Sequence, residues 1–198
     1  TSDIVDRENT DSRAFDMEYE KKPILKIEIC DYLKLKTDES GKNIGIFESI
    51  GGKASVSNLR VVSPSISGNG DLGVITAVNK GKIKGVVIEK PTLTGTARMG
   101  SVCGYNQGDI VDVYTIDYGT NEEASFIGGT AIGGITGQND GRLMRVLYIA
   151  KAPEKNNIYV PITYLNNGKV EDVYFLSASG YNAFHNNIGI ELLLEPFY

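Results

Sequence analysis

Residues 132–143 read IGGITGQNDGRL, and this stretch decides how the rest of the chain is interpreted. Its Asn-x-Gly step recurs along the chain, at Asn79-Lys80-Gly81, Asn106-Gln107-Gly108, Asn139-Asp140-Gly141 and Asn166-Asn167-Gly168. Successive asparagines of the step are 27, 33 and 27 residues apart. Aliphatic residues keep a fixed distance from the step glycine, as in Ile83, Ile110, Leu143 and Val170, then Val86, Val113, Val146 and Val173, and before it Ile75, Val102, Ile135 and Ile162. So many agreements indicate a structural repeat.

The composition indicates that this repeat is made of β-strands. The 23 glycines among 198 residues are about 12% of the chain, against a usual value of about 7%, and they interrupt any long helix. The segments between them are short and rich in Val, Ile, Tyr and Thr, which favour strands. A propeller blade needs about 40 to 45 residues, which is longer than this repeat. The sequence therefore predicts an all-β parallel β-helix, or β-solenoid, of about five coils with an N-terminal cap.

Stacking explains why the repeat keeps its spacing. Each coil would lie on the previous one at the strand spacing of about 4.8 Å, so that five coils make a prism about 24 Å long. Aliphatic residues at equivalent positions then form buried columns. We expect the Asn-x-Gly step to form a corner, because Asn and Gly tolerate the left-handed backbone conformation of tight turns. Right-handed coiling is expected by analogy with most parallel β-helices.

The repeat resembles the GLUG motif, whose members run Gly-Gly-aliphatic-x-Gly-x-Asn-x-Gly-x-aliphatic. Residues 132–143 match it best, residues 100–110 nearly as well, and residues 73–83 more loosely. Residues 160–170 carry Val, Pro and Tyr where glycines are expected, so we expect that coil to be distorted. The resemblance covers roughly residues 40 to 180. It implies a β-solenoid of a secreted or cell-surface bacterial protein, such as adhesin-like proteins and non-catalytic regions of IgA1-type metallopeptidases.

Charge and composition exclude several classes of protein. The formal net charge is −5 with scattered Lys and Arg, which argues against nucleic-acid binding. No stretch approaches the roughly 18 apolar residues of a membrane helix, so membrane insertion is not expected. One histidine and two cysteines are too few for a multi-histidine metal site, a zinc cage or a disulfide scaffold. We expect no metal and no cofactor.

The chain divides into four segments by pattern. Residues 1–22 are charged and expected to be partly disordered, and residues 23–40, where Leu25, Ile27 and Ile29 alternate with polar residues, are expected to form cap strands. Residues 41–180 form the solenoid, and residues 181–198 form a C-terminal cap or last coil. With no signal peptide or wall anchor in the sequence, we expect a monomeric fragment of a longer exported protein. A complete cytoplasmic protein is the alternative.

The candidate catalytic residues all have simpler structural interpretations. His185 lies outside the repeat and no nucleophile motif accompanies it. Cys103 stands where the other coils have threonine, which indicates a small core residue, and the spacing says nothing for or against a Cys30–Cys103 disulfide. Asp112, Arg145 and Asp172 would stack in one column, as a charge ladder or as an inverting glycosidase pair. The arginine favours the ladder because it keeps both carboxylates ionised. No catalytic residue is assigned.

The best candidate for a functional surface is the set of residues that directly follow the valines Val86, Val113, Val146 and Val173. The next residue in each coil would point outward by strand alternation, and these residues are Val87, Tyr114, Leu147 and Tyr174. An exposed apolar stripe with two tyrosines is typical of a contact with a glycan or a protein. The sequence therefore predicts a non-enzymatic surface or secreted module that binds a host glycan or extracellular host protein, or acts as a rigid spacer. The alternative is a substrate-positioning accessory domain of an extracellular protease or glycosidase.

Overall fold

The strands and their connections are known from a computed structural model, which describes residues 15–17, 24–25, 30–31, 33–36, 41–117, 125–150 and 159–177. These residues contain β-strands and no helix. The strands are β1 Phe15–Met17, β2 Ile24–Leu25, β3 Cys30–Asp31, β4 Lys34–Lys36, β5 Phe47–Ile50, β6 Ser55–Val62, β7 Ser65–Gly68, β8 Leu72–Gly73, β9 Thr76–Asn79, β10 Lys82–Glu89, β11 Thr92–Gly95, β12 Arg98–Gly100, β13 Cys103–Asn106, β14 Asp109–Asp117, β15 Phe126–Gly128, β16 Ala131–Gly133, β17 Thr136–Asn139, β18 Arg142–Ala150, β19 Tyr159–Val160, β20 Thr163–Asn166 and β21 Lys169–Ser177.

The strands form four parallel sheets, which are the four faces of a β-solenoid of about five turns. Face A has the order β1-β5-β9-β13-β17-β20, and face B has β2-β6-β10-β14-β18-β21, with β3 also paired to β6. Face C has the order β15-β11-β7-β4, and face D has β19-β16-β12-β8. The chain visits faces D, A, B and C in turn, so each strand pairs with its counterpart one coil away. The predicted fold class is confirmed.

Strands of the N-terminal part extend the stack. Within residues 23–40, β2 and β3 pair with β6 on face B, and β4 pairs with β7 on face C. Strand β1 lies within residues 1–22 and pairs with β5 on face A. The predicted C-terminal cap, residues 181–198, lies outside the described residues.

The predicted columns form the core. The valines Val86, Val113 and Val146 are fully buried and in register across β10, β14 and β18, and Val173 continues the column with little exposure. The columns through Ile83 and Ile75 are equally well aligned and buried, with Val170 only partly covered at the last coil. Each coil therefore contributes the same apolar contacts to one continuous core, which is the dominant stabilising term of such a stack.

The unusual coil at residues 160–170 keeps the register of the others. Val160 pairs with Gly133, Thr163 pairs with Thr136, and Asn166 pairs with Asn139. The expectation that this coil is distorted is therefore wrong at the level of strand pairing. The alignment is held by the residues the coil still shares with the others, including Ile162, which is buried in the core.

The corner between faces A and B contains the Asn-x-Gly steps, and a ladder of buried asparagines holds it. Each side-chain amide donates a hydrogen bond to the amide oxygen of the next coil, from Asn79 to Asn106 at 2.8 Å, from Asn106 to Asn139 at 2.7 Å and from Asn139 to Asn166 at 2.7 Å. The oxygen of Asn79 also accepts the N–H of Gly81 at 3.1 Å. Each buried polar group thus has a partner, as a polar group in the core requires.

Close packing, and not backbone conformation, explains the step glycines. A Cβ atom at Gly108 would overlap the carbonyl oxygen of Gly81 one coil earlier, and a Cβ atom at Gly141 would overlap that of Gly108. The expectation that Asn and Gly take a left-handed conformation here is wrong, because none of these residues has a positive φ. Asparagine is selected for its buried amide, and glycine for the approach of one coil to the next.

A column of left-handed residues lies instead within the strands of face B. One column has φ between 50° and 63° in every coil, and its residues are Asn58, Gly85, Asp112, Arg145 and Asp172. Asn, Asp and Gly tolerate this region better than other residues do. The strand pairing skips this column, which lies between the first three residues of each face B strand and the longer part that follows.

Candidate functional site

The predicted stripe forms one aligned column on the outer surface of face B. Val87 pairs with Tyr114, Tyr114 with Leu147, and Leu147 with Tyr174. Tyr114 is 44% exposed, and the other three side chains are half-buried by their neighbours on the sheet. The column therefore presents aromatic and aliphatic groups to solvent in one row, and Tyr114 is the most exposed of them.

A second apolar column lies beside the first, and the sequence analysis missed it. Two residues farther along each strand, Ile116 pairs with Ile149, and Ile149 pairs with Leu176. Leu176 is 36% exposed, and the two isoleucines are half-buried. The strand alternation that predicted the first column also predicts this one when it is continued by one more step. We call the two columns together the face B patch, comprising Val87, Tyr114, Ile116, Leu147, Ile149, Tyr174 and Leu176.

Charged residues close the patch at its N-terminal end. In β10 the second column is occupied by Glu89, whose carboxylate is 2.7 Å from the guanidinium of Arg60 in β6. Arg60 itself pairs with Val87 at the head of the first column. The apolar surface therefore begins at Val87 and widens toward the last described coil.

The Asp112–Arg145–Asp172 column borders the patch, and in it Arg145 bonds to Asp112 and also feels the charge of Asp172. The Arg145 guanidinium donates to both carboxylate oxygens of Asp112, at 2.5 and 3.1 Å. This hydrogen bond, aided by the charge of Arg145, lowers the pKa of Asp112. Such a carboxylate is ionised at neutral pH and has no proton to donate as a general acid. The geometry therefore favours the ladder over a glycosidase pair.

Cys103 occupies the core position that its alignment with threonines predicts. It pairs with Thr76 and Thr136, it is fully buried, and its Sγ lies 3.6 Å from the Thr136 hydroxyl. Burial raises the pKa of this thiol to about 12, so the reactive thiolate is not formed at neutral pH. Cys103 is a free thiol. His185 lies outside the described residues, and of Cys30 only the backbone is described.

A polar cluster of residues from faces D and A joins several coils and was not predicted. The Arg98 guanidinium makes a forked pair with the Asp71 carboxylate, at 3.0 and 2.6 Å, donates to Gln138 at 2.8 Å, and lies 4.2 Å from the ring centre of Tyr105. The Tyr105 hydroxyl donates to Asp140, and the Asp71 bond raises the pKa of Arg98. Because the guanidinium covers the tyrosine ring and its bonds are made within the cluster, the arrangement is that of a brace between coils.

The described ranges hold neither a metal-binding cluster nor a membrane-spanning helix. Within them, no group of three His, Cys, Asp or Glu residues is placed to hold a metal ion. The same residues contain no helix that is long and apolar enough to cross a membrane. Comparisons of the chain with protein families, with curated proteins and with solved structures find no match in any of the three.

Proposed function

We propose that this chain is a non-enzymatic β-solenoid module of a bacterial surface or secreted protein, and that it binds a host glycan or an extracellular host protein through the face B patch. The observation that carries the proposal is the patch itself, two adjacent apolar columns with two tyrosines on the outer surface of a regular sheet. Contiguous exposed apolar areas on a protein surface commonly mark sites of interaction with a partner. The resemblance of residues 40–180 to GLUG repeats supports the extracellular setting.

The geometry of the patch suits a rigid or repetitive partner. Tyr114 and Tyr174 lie two coils apart, about 9.6 Å at the strand spacing, with Leu147 between them. Tyrosine offers a large apolar ring and a polar hydroxyl at little conformational cost. The strands beneath are held by the core and by the asparagine ladder, so the binding surface is ordered before a partner arrives, which reduces the entropic cost of binding.

A spacer role uses the same rigidity without a ligand. In that case the solenoid holds a neighbouring domain at a fixed distance, and an accessory domain of a protease or glycosidase would position substrate in the same way. The lowered pKa of Asp112 and the buried thiol of Cys103 support the non-enzymatic assignment. The patch favours binding over spacing, because a pure spacer gains nothing from exposed tyrosine.

The proposal is tested by a binding screen of the chain against arrays of host glycans and extracellular matrix proteins. The parent is compared with Tyr114→Ser/Tyr174→Ser, which removes both rings from the patch. The matched control is Ile127→Ser, since Ile127 on face C is 46% exposed and lies outside the patch. Circular dichroism and thermal unfolding establish that all three proteins fold.

A ligand bound by the parent and by Ile127→Ser, but lost in the double tyrosine variant, supports the proposal. If a ligand binds all three proteins equally, the chain is a binding module but the face B patch is not its binding site. No ligand in either array contradicts the binding role and favours the spacer.

A further inference from the structure

A groove of about 1130 Å³ runs along the corner between faces A and B, at the start of the face B strands, whereas the face B patch lies toward their C-terminal ends. Its lining includes the step glycines of successive coils, Gly81, Gly108, Gly141 and Gly168. One wall is the residue between Asn and Gly in each coil, and the other is the first residue of each face B strand. The groove is therefore parallel to the stacking axis.

The lining of this corner groove is positively charged, although the whole chain carries a formal charge of −5. Its cations are Lys53, Lys80, Lys82, Arg142 and Lys169, and its carboxylates are Asp109 and Asp140. Five cations less two carboxylates leave a net charge of +3. Segregated positive charge on an acidic protein attracts anionic ligands to that place.

Most of these cations are available to a ligand. Arg142 is engaged with Glu171 at 2.6 Å. Within the described part of the chain, the four lysines form no salt bridge. Of the two carboxylates, that of Asp140 already accepts hydrogen bonds from Tyr105, Gln138 and Asn167. The lysines thus line the groove with ammonium groups, three of them near its N-terminal end.

The backbone at the step glycines is not available to a peptide strand. The N–H groups that follow the glycines donate to the coil before, as Asp109 does to Gly81 at 2.8 Å, Arg142 to Gly108 at 2.8 Å and Lys169 to Gly141 at 2.8 Å. An extended peptide therefore finds no free edge to pair with, and binding must use the side chains of the walls. Ammonium groups and the amides of Gln107 and Asn167 are suited to acidic groups and hydroxyls.

The walls also repeat. Lys82, Asp109, Arg142 and Lys169 are in register along one wall, one per coil, at the strand spacing of about 4.8 Å. The two lysines of this wall lie three coils apart, about 14 Å, with Asp109 and the Glu171-bound Arg142 between them. A long ligand can reach cations at both ends of the groove, whereas a single small molecule uses only part of it. We propose that the corner groove binds a linear anionic polysaccharide, whose carboxylate or sulfate groups pair with Lys53, Lys80, Lys82 and Lys169.

The experiment measures binding of the full chain to heparin oligosaccharides of increasing length by isothermal titration calorimetry. Dextran of matched length is the neutral control, and polyglutamate is the acidic peptide. Lys80→Gln/Lys82→Gln removes two groove lysines, and Lys34→Gln/Lys84→Gln removes the same charge from lysines outside the groove. The tyrosine variant Tyr114→Ser/Tyr174→Ser is included to separate this site from the face B patch.

The proposal requires affinity that rises with oligosaccharide length, falls with added salt and is absent for dextran. The groove variant should bind about fivefold to tenfold more weakly, and the outside variant should change by less than about twofold. The tyrosine variant should bind like the parent. Three results would overturn it: no heparin binding at low salt, equal losses in the two lysine variants, or polyglutamate binding as tightly as the oligosaccharides.

Discussion

The corner between faces A and B and the corner between faces B and C lie at opposite ends of the same strands, yet their residues are constrained very differently. At the A–B corner every coil from Asn79 onward keeps Asn-x-Gly. At the B–C corner Ser63 and Lys90 have positive φ and a short connection follows, while in the next coil eight residues, 118–125, separate Asp117 from β15.

The difference accounts for the one irregular spacing in the repeat. Only residues 91 and 92 lie between Lys90, the counterpart of Asp117, and Leu93, the counterpart of Phe126. The excess of eight over two is six, which equals the difference between 33 and 27 residues in the asparagine spacing. Asn139 nevertheless rejoins the ladder at 2.7 Å. The buried asparagines at the A–B corner set the register between coils, because each must bond to the asparagine of the next coil. The number of residues in the connection at the B–C corner can vary, because no such ladder joins the described residues of that corner.

Among the single substitutions, breaking the ladder should have the largest effect. Asn106→Ala removes the middle amide and leaves the buried side chains of Asn79 and Asn139 each short of one partner. We expect a loss of about 3 to 4 kcal/mol in the free energy of unfolding, because each unsatisfied buried polar group costs about 1 to 3 kcal/mol. Urea unfolding measures the loss, and Gln107→Ala, an exposed neighbour, is the control. Equal stability of the two variants would contradict the structural role of the ladder.

Filling the A–B corner should be the next most costly change. Gly108→Ala places a methyl group against the carbonyl oxygen of Gly81 and should cost about 2 to 3 kcal/mol through overpacking. Gly52 lies at the same corner in an earlier coil, but there the nearest atom to an added Cβ is the Lys80 oxygen at 3.6 Å. Gly52→Ala should change stability by less than about 0.5 kcal/mol. Thermal and urea unfolding of both variants compare the two glycines directly, and similar losses would disprove the packing explanation.

Two aspartates allow the corners to be compared by pH. Asp117, at the B–C corner, is buried and accepts hydrogen bonds from Ser125 at 2.6 Å and Tyr148 at 3.0 Å, and burial raises its pKa despite these bonds. The folded state therefore holds the proton more tightly than the unfolded chain. The resulting stability is present below the unfolded pKa of about 3.9 and is lost as the pH rises through the folded value. Asp117→Asn should stabilise the protein at neutral pH and match the parent in acid.

Asp140, at the A–B corner, should behave in the opposite way. Burial opposes ionisation there, but hydrogen bonds from Tyr105, Gln138 and Asn167 lower the pKa overall. The stability gained from this carboxylate is present above the unfolded pKa and is lost as the pH falls through the folded value. Asp140→Asn should therefore destabilise the protein at neutral pH and converge with the parent in acid. Melting temperatures across an acid-to-neutral series measure both variants, and effects of the same sign would refute the assignment.

Shortening the B–C corner should have the smallest effect. Deleting residues 118–123 leaves Ala124 and Ser125 as a two-residue connection, like residues 91 and 92 in the coil before. We expect stability to change by less than about 1 kcal/mol, since loop-closure entropy varies slowly with length. Inserting the same six residues after Lys80 at the A–B corner should instead abolish cooperative unfolding. A deletion as damaging as that insertion would show that the two corners are equally constrained.

The regular parts of the solenoid could be predicted from the sequence because each coil repeats the same demand. The valine column of Val86 and Val113 is readable since both residues meet the same environment. The cause of the Asn-x-Gly pattern could not be inferred from the sequence, because a buried amide ladder and a tight turn both favour asparagine and glycine. The left-handed column was hidden because Arg145, a poor residue for that conformation, interrupts its Asn, Gly and Asp members.

The candidate sites were harder to predict from the sequence, because their residues follow the repeat only in part or not at all. The Asp71–Arg98–Tyr105 brace joins residues that do not repeat from coil to coil, so no periodic signal marks it. The second apolar column was available in principle, but Glu89 in β10 obscures a pattern that begins only at Ile116. The corner groove combines residues from the end of face A with residues from the start of face B. It could not be predicted, because the sequence does not show where one face ends and the next begins.

The asparagine ladder has a direction. Asn79, Asn106 and Asn139 each donate to the asparagine of the next coil, so the side-chain dipoles of the row are aligned from head to tail. A coil with the same step inserted within the row keeps every bond in the same sense, whereas a reversed coil would set donor against donor. Every added coil of this pattern therefore inherits the polarity of the ladder.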